Sequence, residues 1–158
     1  FPGYTDGKWA GKGLSILDFG VVYEGYTSDT TLTVAKKPLT KEQKCQIDLV
    51  EKAYKAALEL YQPGLPVNLA AKKVDEVFVN ENRTMPHSLG HGLGLDCHEF
   101  PLIRSKEEDD TIFLPGVVAT CEPGLYDPKT GGCRLENDIL ITDSGHEILT
   151  KSRIIHLD

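Results

Sequence analysis

Apolar and polar positions alternate with a period of two through residues 14–34: Leu14, Ile16 and Leu17, then Val21, Val22 and Tyr23, then Thr30 through Val34. The pattern predicts strands, and Glu24-Gly25 predicts a tight turn between two arms. The period then changes. Across residues 40–62, Ile47, Val50, Tyr54, Ala57, Leu58 and Tyr61 recur at three-and-four spacing, which predicts a helix. Thr40 with Gln43 forms a capping-box pattern at its start, and Pro63-Gly64 stops it. Asn68 is read as the cap of a shorter helix through about Asn80, with Ala71, Val74 and Phe78 inward. The remainder reads as β-rich. His87 to Glu99 is punctuated by glycines, and Ile112 to Cys121 predicts a strand broken by Pro115-Gly116 and ended by Pro123-Gly124. Arg134 to Thr142 is a further alternating run, and Asp143-Ser144-Gly145-His146 turns into a last strand near Glu147–Thr150. Strands, then helices, then strands make an α+β order rather than a regularly alternating parallel one.

Composition narrows the classes. At 158 residues, with 40% hydrophobic and 26% charged positions, the chain suits one folded unit or a piece of a larger one. It carries 24 acidic against 17 basic side chains, a net charge of −7, with no Lys/Arg stripe, so a nucleic-acid partner is excluded. Apolar runs are only a few residues long, which excludes a membrane-spanning helix. Phe1 opens the chain without a basic leader or an apolar signal core, so a cytoplasmic location is expected. Cys45, Cys97, Cys121 and Cys133 form no C-x-x-C pair and read as reduced, mostly buried thiols. The Asn82-Arg83-Thr84 sequon reads as coincidence, residues 106–110 as a solvated acidic loop, and Trp9 as a pocket-lining or a packing residue.

Three segments carry candidate chemistry. With Glu24-Gly25 as the turn, Asp29 lies opposite Gly20, so Asp18 and Asp29 project from one face as diagonal neighbours. Two close carboxylates repel unless a proton or a cation sits between them, although strand-end aspartates are the blander reading. Three of the five histidines, His87, His91 and His98, fall within twelve residues. Imidazole suits metal ligation and proton transfer near neutral pH. The spacing is not H-E-x-x-H, so a zinc-peptidase helix is not indicated. Glu122 and Glu136 each interrupt or end an apolar run. Either alone reads as an edge residue. Together with the two aspartates and a histidine they make a hard donor set suited to Mn²⁺, Co²⁺, Fe²⁺ or Zn²⁺, with enough acids to bridge two ions.

These residues carry a resemblance. Leu17-Asp18-Phe19-Gly20, Gly25-Tyr26-Thr27-Ser28-Asp29, His87-Ser88-Leu89-Gly90-His91-Gly92-Leu93-Gly94, His98-Glu99, Glu122-Pro123-Gly124 and Arg134-Leu135-Glu136 resemble, in order, the M24 "pita-bread" metallopeptidases. The resemblance implies a curved mixed or antiparallel sheet with helices on its outer side. It implies two divalent ions, Mn²⁺ first among them. Asp18 resembles the chelating aspartate, Asp29 and Glu136 the bridging acids, and His91 and Glu122 the ligands of the second ion. His87 and His98 resemble the substrate-facing histidines, and Glu122 the proton shuttle. The implied reaction is attack of a metal-bridging hydroxide on the peptide carbonyl. Leu93-Gly94-Leu95-Asp96 before His98-Glu99, with Arg134 two residues ahead of Glu136, resembles the aminopeptidase P and prolidase branch. The implied substrate is a peptide with proline at its second position, and Arg134 holds a bridging acid or a substrate carboxylate.

Departures from the family pattern are His87-Ser88-Leu89-Gly90-His91 where His-Gly-Thr-Gly-His is common, and Glu136-Asn137 where Glu-Asp is common. Neither removes a ligand. Residues 1–158 are expected to be the metal-bearing C-terminal portion of the catalytic domain, without its front half or an N-terminal domain. A homodimer is expected of the longer form. The rival readings are a non-catalytic peptide-binding or scaffold module of the same fold, and a metal-free creatinase-like hydrolase.

Overall fold

The computed structural model describes residues 11–106 and 110–158; Trp9 and most of the expected acidic loop lie outside the described residues. Strand β1 (Gly13–Phe19) runs antiparallel to β4 (Thr30–Lys36), with Asp18 opposite Thr31 and Phe19 opposite Thr30. Between them β2 (Val22–Tyr23) and β3 (Tyr26–Thr27) form the tip of the hairpin in the same register. Glu24 and Gly25 have φ of 50° and 87°, the two consecutive positive values of a tight primed turn. The predicted turn and register both hold. The tip is open to solvent, with Val22 and Tyr23 more than two-thirds exposed.

Helix α1 (Lys41–Leu58) begins on the predicted capping box: Thr40 Oγ1 accepts from the Gln43 N–H, and Gln43 Oε1 accepts from the Thr40 N–H. It ends four residues short of the prediction, yet Tyr61 beyond it is fully buried against Phe113, ring centroids 4.7 Å apart. Helix α2 (Val67–Val79) buries Ala71, Val74 and Phe78, as their spacing predicts. Asn68 does not cap it. Pro66 holds the N-cap position, and Asn68, one residue inside the helix and buried, donates to the Lys106 carbonyl at 3.0 Å. Proline sets its own φ at the entry, and in place of a side-chain cap the Val67 N–H donates to the Thr111 carbonyl at 2.9 Å.

Behind the helices lies a five-stranded sheet. It consists of β5 (Gly90–Gly92), β6 (Glu99–Ile103), β7 (Val118–Cys121), β10 (Asn137–Thr142) and β11 (Gly145–Ile148), in the order β11-β10-β7-β5-β6. A two-stranded ribbon of β8 (Gly124–Asp127) and β9 (Gly131–Arg134) pairs separately and is tied to β4 by the Thr33 hydroxyl, which donates to the Arg134 carbonyl and accepts from its N–H. Strand β12 (Ile154–Leu157) returns parallel to β4 and completes a mixed sheet β1-β4-β12.

Three expectations are corrected. Residues 134–142 are two strands, broken at Leu135-Glu136, because β9 pairs with β8 and β10 with β7. The strand near 147–150 starts at Gly145. Among the thiols only Cys121 and Cys133 are buried; Cys45 is exposed and Cys97 partly so, and all four are free.

One junction joins the two larger sheets. Glu136 donates its N–H to the Thr31 carbonyl at 3.0 Å, and the Thr30 hydroxyl donates to the Glu136 carbonyl at 3.0 Å. The core packs between helices and sheets, with Val50, Ala53, Val74, Phe78, Ile139 and Ile141 all at or near zero exposure. None of the helices among the described residues is long and apolar enough to cross a membrane.

Candidate metal centre

The junction at Thr31 and Glu136 faces the hairpin aspartates. Asp18 pairs with Thr31, and the register carried past Phe19 puts Asp29 opposite Gly20. Directly opposed residues share a face, so Asp18, Asp29 and Thr31 project together. Gly20 is required here: a Cβ would lie 2.0 Å from the Ser28 carbonyl oxygen, inside the pinch between the arms. Asp29 is further fixed by its N–H, which donates to both oxygens of the Asp138 carboxylate at 3.3 Å.

His91 enters from β5. A Cβ on Gly90 would meet the Thr120 carbonyl at 2.1 Å, and one on Gly92 the Phe100 carbonyl at 2.3 Å. The two glycines let neighbouring backbone close on the strand and hold the histidine between them. Its Nδ1 faces the Gly92 carbonyl at 3.0 Å. A carbonyl only accepts, so Nδ1 carries the proton and Nε2 is left as a lone-pair donor. That Nε2 stands 3.4 Å from Glu122 and 3.7 Å from Asp29. Burial lowers the ring's pKa and favours the neutral, ligating form.

Glu122 and Glu136 complete the group. Glu122 accepts from the Thr120 hydroxyl at 3.2 Å, and Glu136 from the Thr31 hydroxyl at 2.5 Å. Burial raises both carboxyls above the ordinary range, and for Glu136 the charge of Glu122 adds to it. Buried acids so close together share protons or a cation. Asp18, Asp29 and Glu136 offer oxygens within 4.8 Å of one another, and so do the donors of His91, Glu122 and Glu136. A third such triad is Asp29, His91 and His98. The five proposed ligands therefore converge, and their donor chemistry fits divalent cations.

The other expected residues line the same cavity of about 290 Å³. His98 is exposed, its ring 4.3 Å from that of His91. His87 Nδ1 lies 3.9 Å from Glu122 and faces the Ser88 carbonyl at 2.8 Å. Its Nε2 lies 2.8 Å from the Tyr126 hydroxyl. With Nδ1 donating to a carbonyl, Nε2 accepts from Tyr126, and burial lowers the ring's pKa. Arg134 pairs with Asp18, donates to Thr31 and to Tyr126 at 3.0 Å each, and lies 3.8 Å from Glu136.

Tyr126, Thr31 and Cys97 were not among the expected site residues. Thr31 had a signal, since it shares parity with Asp29, two residues before it. Tyr126 shares parity with Glu122, but its strand was not predicted. Cys97, expected as a buried thiol, donates to Asp29 Oδ2 at 3.3 Å, and burial and then Asp29 push that thiol up to about 12.

With this geometry in view, comparison with known proteins is decisive. Residues 2–143 match the profile of metallopeptidase family M24. The chain belongs to that family. It is 39% identical over 145 residues to an Xaa-Pro dipeptidase of Pyrococcus horikoshii, covering 88% of this chain and 40% of that protein. It is 38% identical over 139 residues to a putative dipeptidase, YkvY, of Bacillus subtilis, covering 86% and 38%. The chain thus spans about two-fifths of the length of these relatives. The crystal structure of the Pyrococcus horikoshii prolidase superposes with a TM-score of 0.85 at 36% identity, covering 90% of this chain and 42% of that one. The dipeptidase PepE of Mycobacterium ulcerans gives a TM-score of 0.90 at 26% identity, covering 98% and 42%. The expected M24 fold is borne out, and membership of the family implies divalent metals.

Proposed function

We propose that the protein containing this chain hydrolyses the amino-terminal Xaa-Pro bond of peptides, as an aminopeptidase P or prolidase, with two divalent cations, Mn²⁺ first, held by Asp18, Asp29, His91, Glu122 and Glu136. The observation that carries the reading is the convergence of donors from separate sheets: Asp18 and Asp29 from the hairpin, His91, Glu122 and Glu136 from the β5–β10 side. The names of the relatives, Xaa-Pro dipeptidase and prolidase, support the proline preference. Residues 1–158 are read as the metal-bearing portion of a pita-bread catalytic domain. A cytoplasmic homodimer remains the reading for the whole protein.

Bound in this cluster, two cations supply Lewis-acid polarisation of the scissile carbonyl and acidify water. The chain's own groups do the rest. Glu122, partly buried and above the ordinary carboxyl range, takes a proton and returns it to the leaving nitrogen. His87, neutral and oriented by Tyr126, and His98, at the cavity's open side, contact the scissile group and stabilise charge that develops on its oxygen. Arg134 fixes Asp18 directly and Glu136 through Thr31.

The test is a Mn²⁺ titration of the chain, followed by assay of matched Xaa-Pro and Xaa-Ala peptides with a polypeptide carrying residues 1–158. Two ions per chain and release of the first residue from Xaa-Pro alone are expected. Equal cleavage of both peptides removes the proline assignment. Binding of Xaa-Pro peptides without cleavage points to the scaffold reading instead.

A further inference from the structure

Helix α1 carries a polar side chain on its core face. Gln46 lies one turn ahead of the fully buried Val50 and is only 5% exposed. A buried amide is costly unless its bonds are made, and this one makes them all to a single target. Its Nε2 donates to the Leu125 carbonyl at 2.6 Å and to the Gly131 carbonyl at 3.1 Å, and its Oε1 accepts from the Thr130 hydroxyl at 2.9 Å. Leu125 is on β8, Gly131 opens β9, and Thr130 lies in the turn between them. One side chain therefore grips both strands of the ribbon and its turn.

We propose that Gln46 is a positioning residue: by holding β8 at Leu125 it sets the next residue, Tyr126, against His87. Side chains alternate along a strand, so Leu125 turns into the core while Tyr126 turns to the other face. There the Tyr126 hydroxyl lies 2.8 Å from His87 Nε2, and the two rings meet edge to face with centroids 5.5 Å apart. A two-stranded ribbon is marginal by itself, so its place depends on what it is tied to. The two ends are tied differently. The Arg134 end is held to β4, where the Thr33 hydroxyl bonds both the N–H and the carbonyl of Arg134. The turn end is held to α1. Gln43 adds a bond from its Nε2 to the Thr130 carbonyl at 2.9 Å, but its Oε1 is spent on the helix cap. Both ends of the Gln46 amide go to the ribbon. Losing that amide frees β8 and Tyr126 while Arg134 stays in place. That His87 serves catalysis rests on the peptidase reading above; the placement of Tyr126 does not.

Nuclear Overhauser cross-peaks between the ring protons of Tyr126 and His87 read the contact directly in the metal-free chain. Gln46→Met, which fills the same space without the amide, should lose them. The backbone N–H signal of Arg134, on the end held by Thr33, should keep its position. Val74→Ala, on the core face of α2, is the control for general loss of stability and should keep the cross-peaks. Cross-peaks that survive in Gln46→Met overturn the proposal. Their loss in Val74→Ala as well, or displacement of the Arg134 signal together with them, marks a general loosening and also overturns it. Should Gln46→Met fail to fold, the unmodified chain decides the question. There the two Gln46 amide hydrogens should exchange slowly with solvent, and exchange at the rate of an exposed glutamine overturns the grip. Where the peptidase reading holds, kcat for an Xaa-Pro peptide, measured with a polypeptide carrying residues 1–158, falls in Gln46→Met as it does in Tyr126→Phe. Unchanged kcat in both, with the cross-peaks lost from Gln46→Met, defeats the role given to His87 and leaves the positioning of Tyr126 standing.

Discussion

Glu136 and Asn137 are neighbours in the chain, both almost fully buried, and they face opposite circumstances. Asn137 looks toward helix α1. Its amide donates to the Tyr54 hydroxyl at 2.9 Å and accepts from the Thr150 hydroxyl at 3.0 Å and the Ser152 N–H at 2.7 Å. All its partners are neutral. Glu136 looks into the cavity. There it accepts from Thr31, stands 3.8 Å from Arg134, and otherwise meets Glu122, Asp18 and Asp29. One side of the strand start is a completed hydrogen-bond network, and the other is an excess of negative charge that Arg134 offsets only in part. A buried polar group with all its bonds made serves stability. A buried acid short of positive charge costs stability and serves a ligand. Asn137 in place of the family's common aspartate fits this division, since its partners Tyr54, Thr150 and Ser152 are all neutral.

The largest effects should come from breaking the cavity side. Asp29→Ala or Glu136→Ala should abolish the two-ion manganese stoichiometry, measured by calorimetric titration. The folded chain should persist, because each change removes a repelled carboxylate. Retention of two ions in either variant would defeat the ligand assignment.

Breaking the other side should do the reverse. Asn137→Ala removes three hydrogen bonds and leaves the Tyr54 hydroxyl and the part-buried Ser152 N–H without that partner, at about 1 kcal/mol per bond. A loss on the order of 2–4 kcal/mol in denaturant unfolding is expected. Manganese stoichiometry should be kept in the surviving folded chain. A variant that keeps full stability and loses metal would invert the comparison.

A smaller effect separates the sides by pH. Glu122 and Glu136 have folded-state pKa values above their unfolded ones. Over that interval the folded chain holds more protons than the unfolded chain, so stability falls as pH rises from the ordinary carboxyl range toward neutrality. Asp138, raised to about 6 chiefly by burial, contributes with the same sign. The metal-free chain should therefore melt at a higher temperature at pH 5 than at pH 7. Glu136→Gln should flatten that slope, and manganese should reduce it. An unchanged slope in Glu136→Gln would mean that this acid is not the strained one.

How much of this division was legible beforehand follows from the range of the interactions. The hairpin that carries Asp18 and Asp29 was readable because turn chemistry at Glu24-Gly25 and a period of two fix register locally. The capping box of α1 is local in the same sense. Strand β12 was not predicted, because its partner β4 lies more than 110 residues earlier and nothing in Ile154–Leu157 names it. The β8–β9 ribbon was hidden by Pro123-Gly124, read as a stop when the chain in fact resumes as a strand at once. Asn68 looked like a cap because its residue type is right, but Pro66 had already set the entry. The ligand set came from resemblance. Of the supports of that set, Thr31 shares parity with Asp29, but its contact with Glu136 depends on the bridge between sheets, and Tyr126 sits on the ribbon that was not predicted.

Tyr126 offers the finest test of how the cavity side is held. Its hydroxyl lies 2.8 Å from His87 Nε2 and 3.0 Å from Arg134 Nη1. Arg134 only donates, so Tyr126 accepts from it and is left to donate to the imidazole. A donor to Nε2 stabilises the neutral ring, in the same direction as its burial. Tyr126→Phe removes that donor and should raise the His87 pKa. Ring-proton shifts followed by NMR across pH 4–8 read it directly. Global stability should change by no more than about 1 kcal/mol, since the partly exposed hydroxyl leaves partners that water can reach. If the His87 pKa stays put or falls, the hydroxyl is not the group that sets its tautomer, and the Arg134–Tyr126–His87 chain is packing rather than positioning.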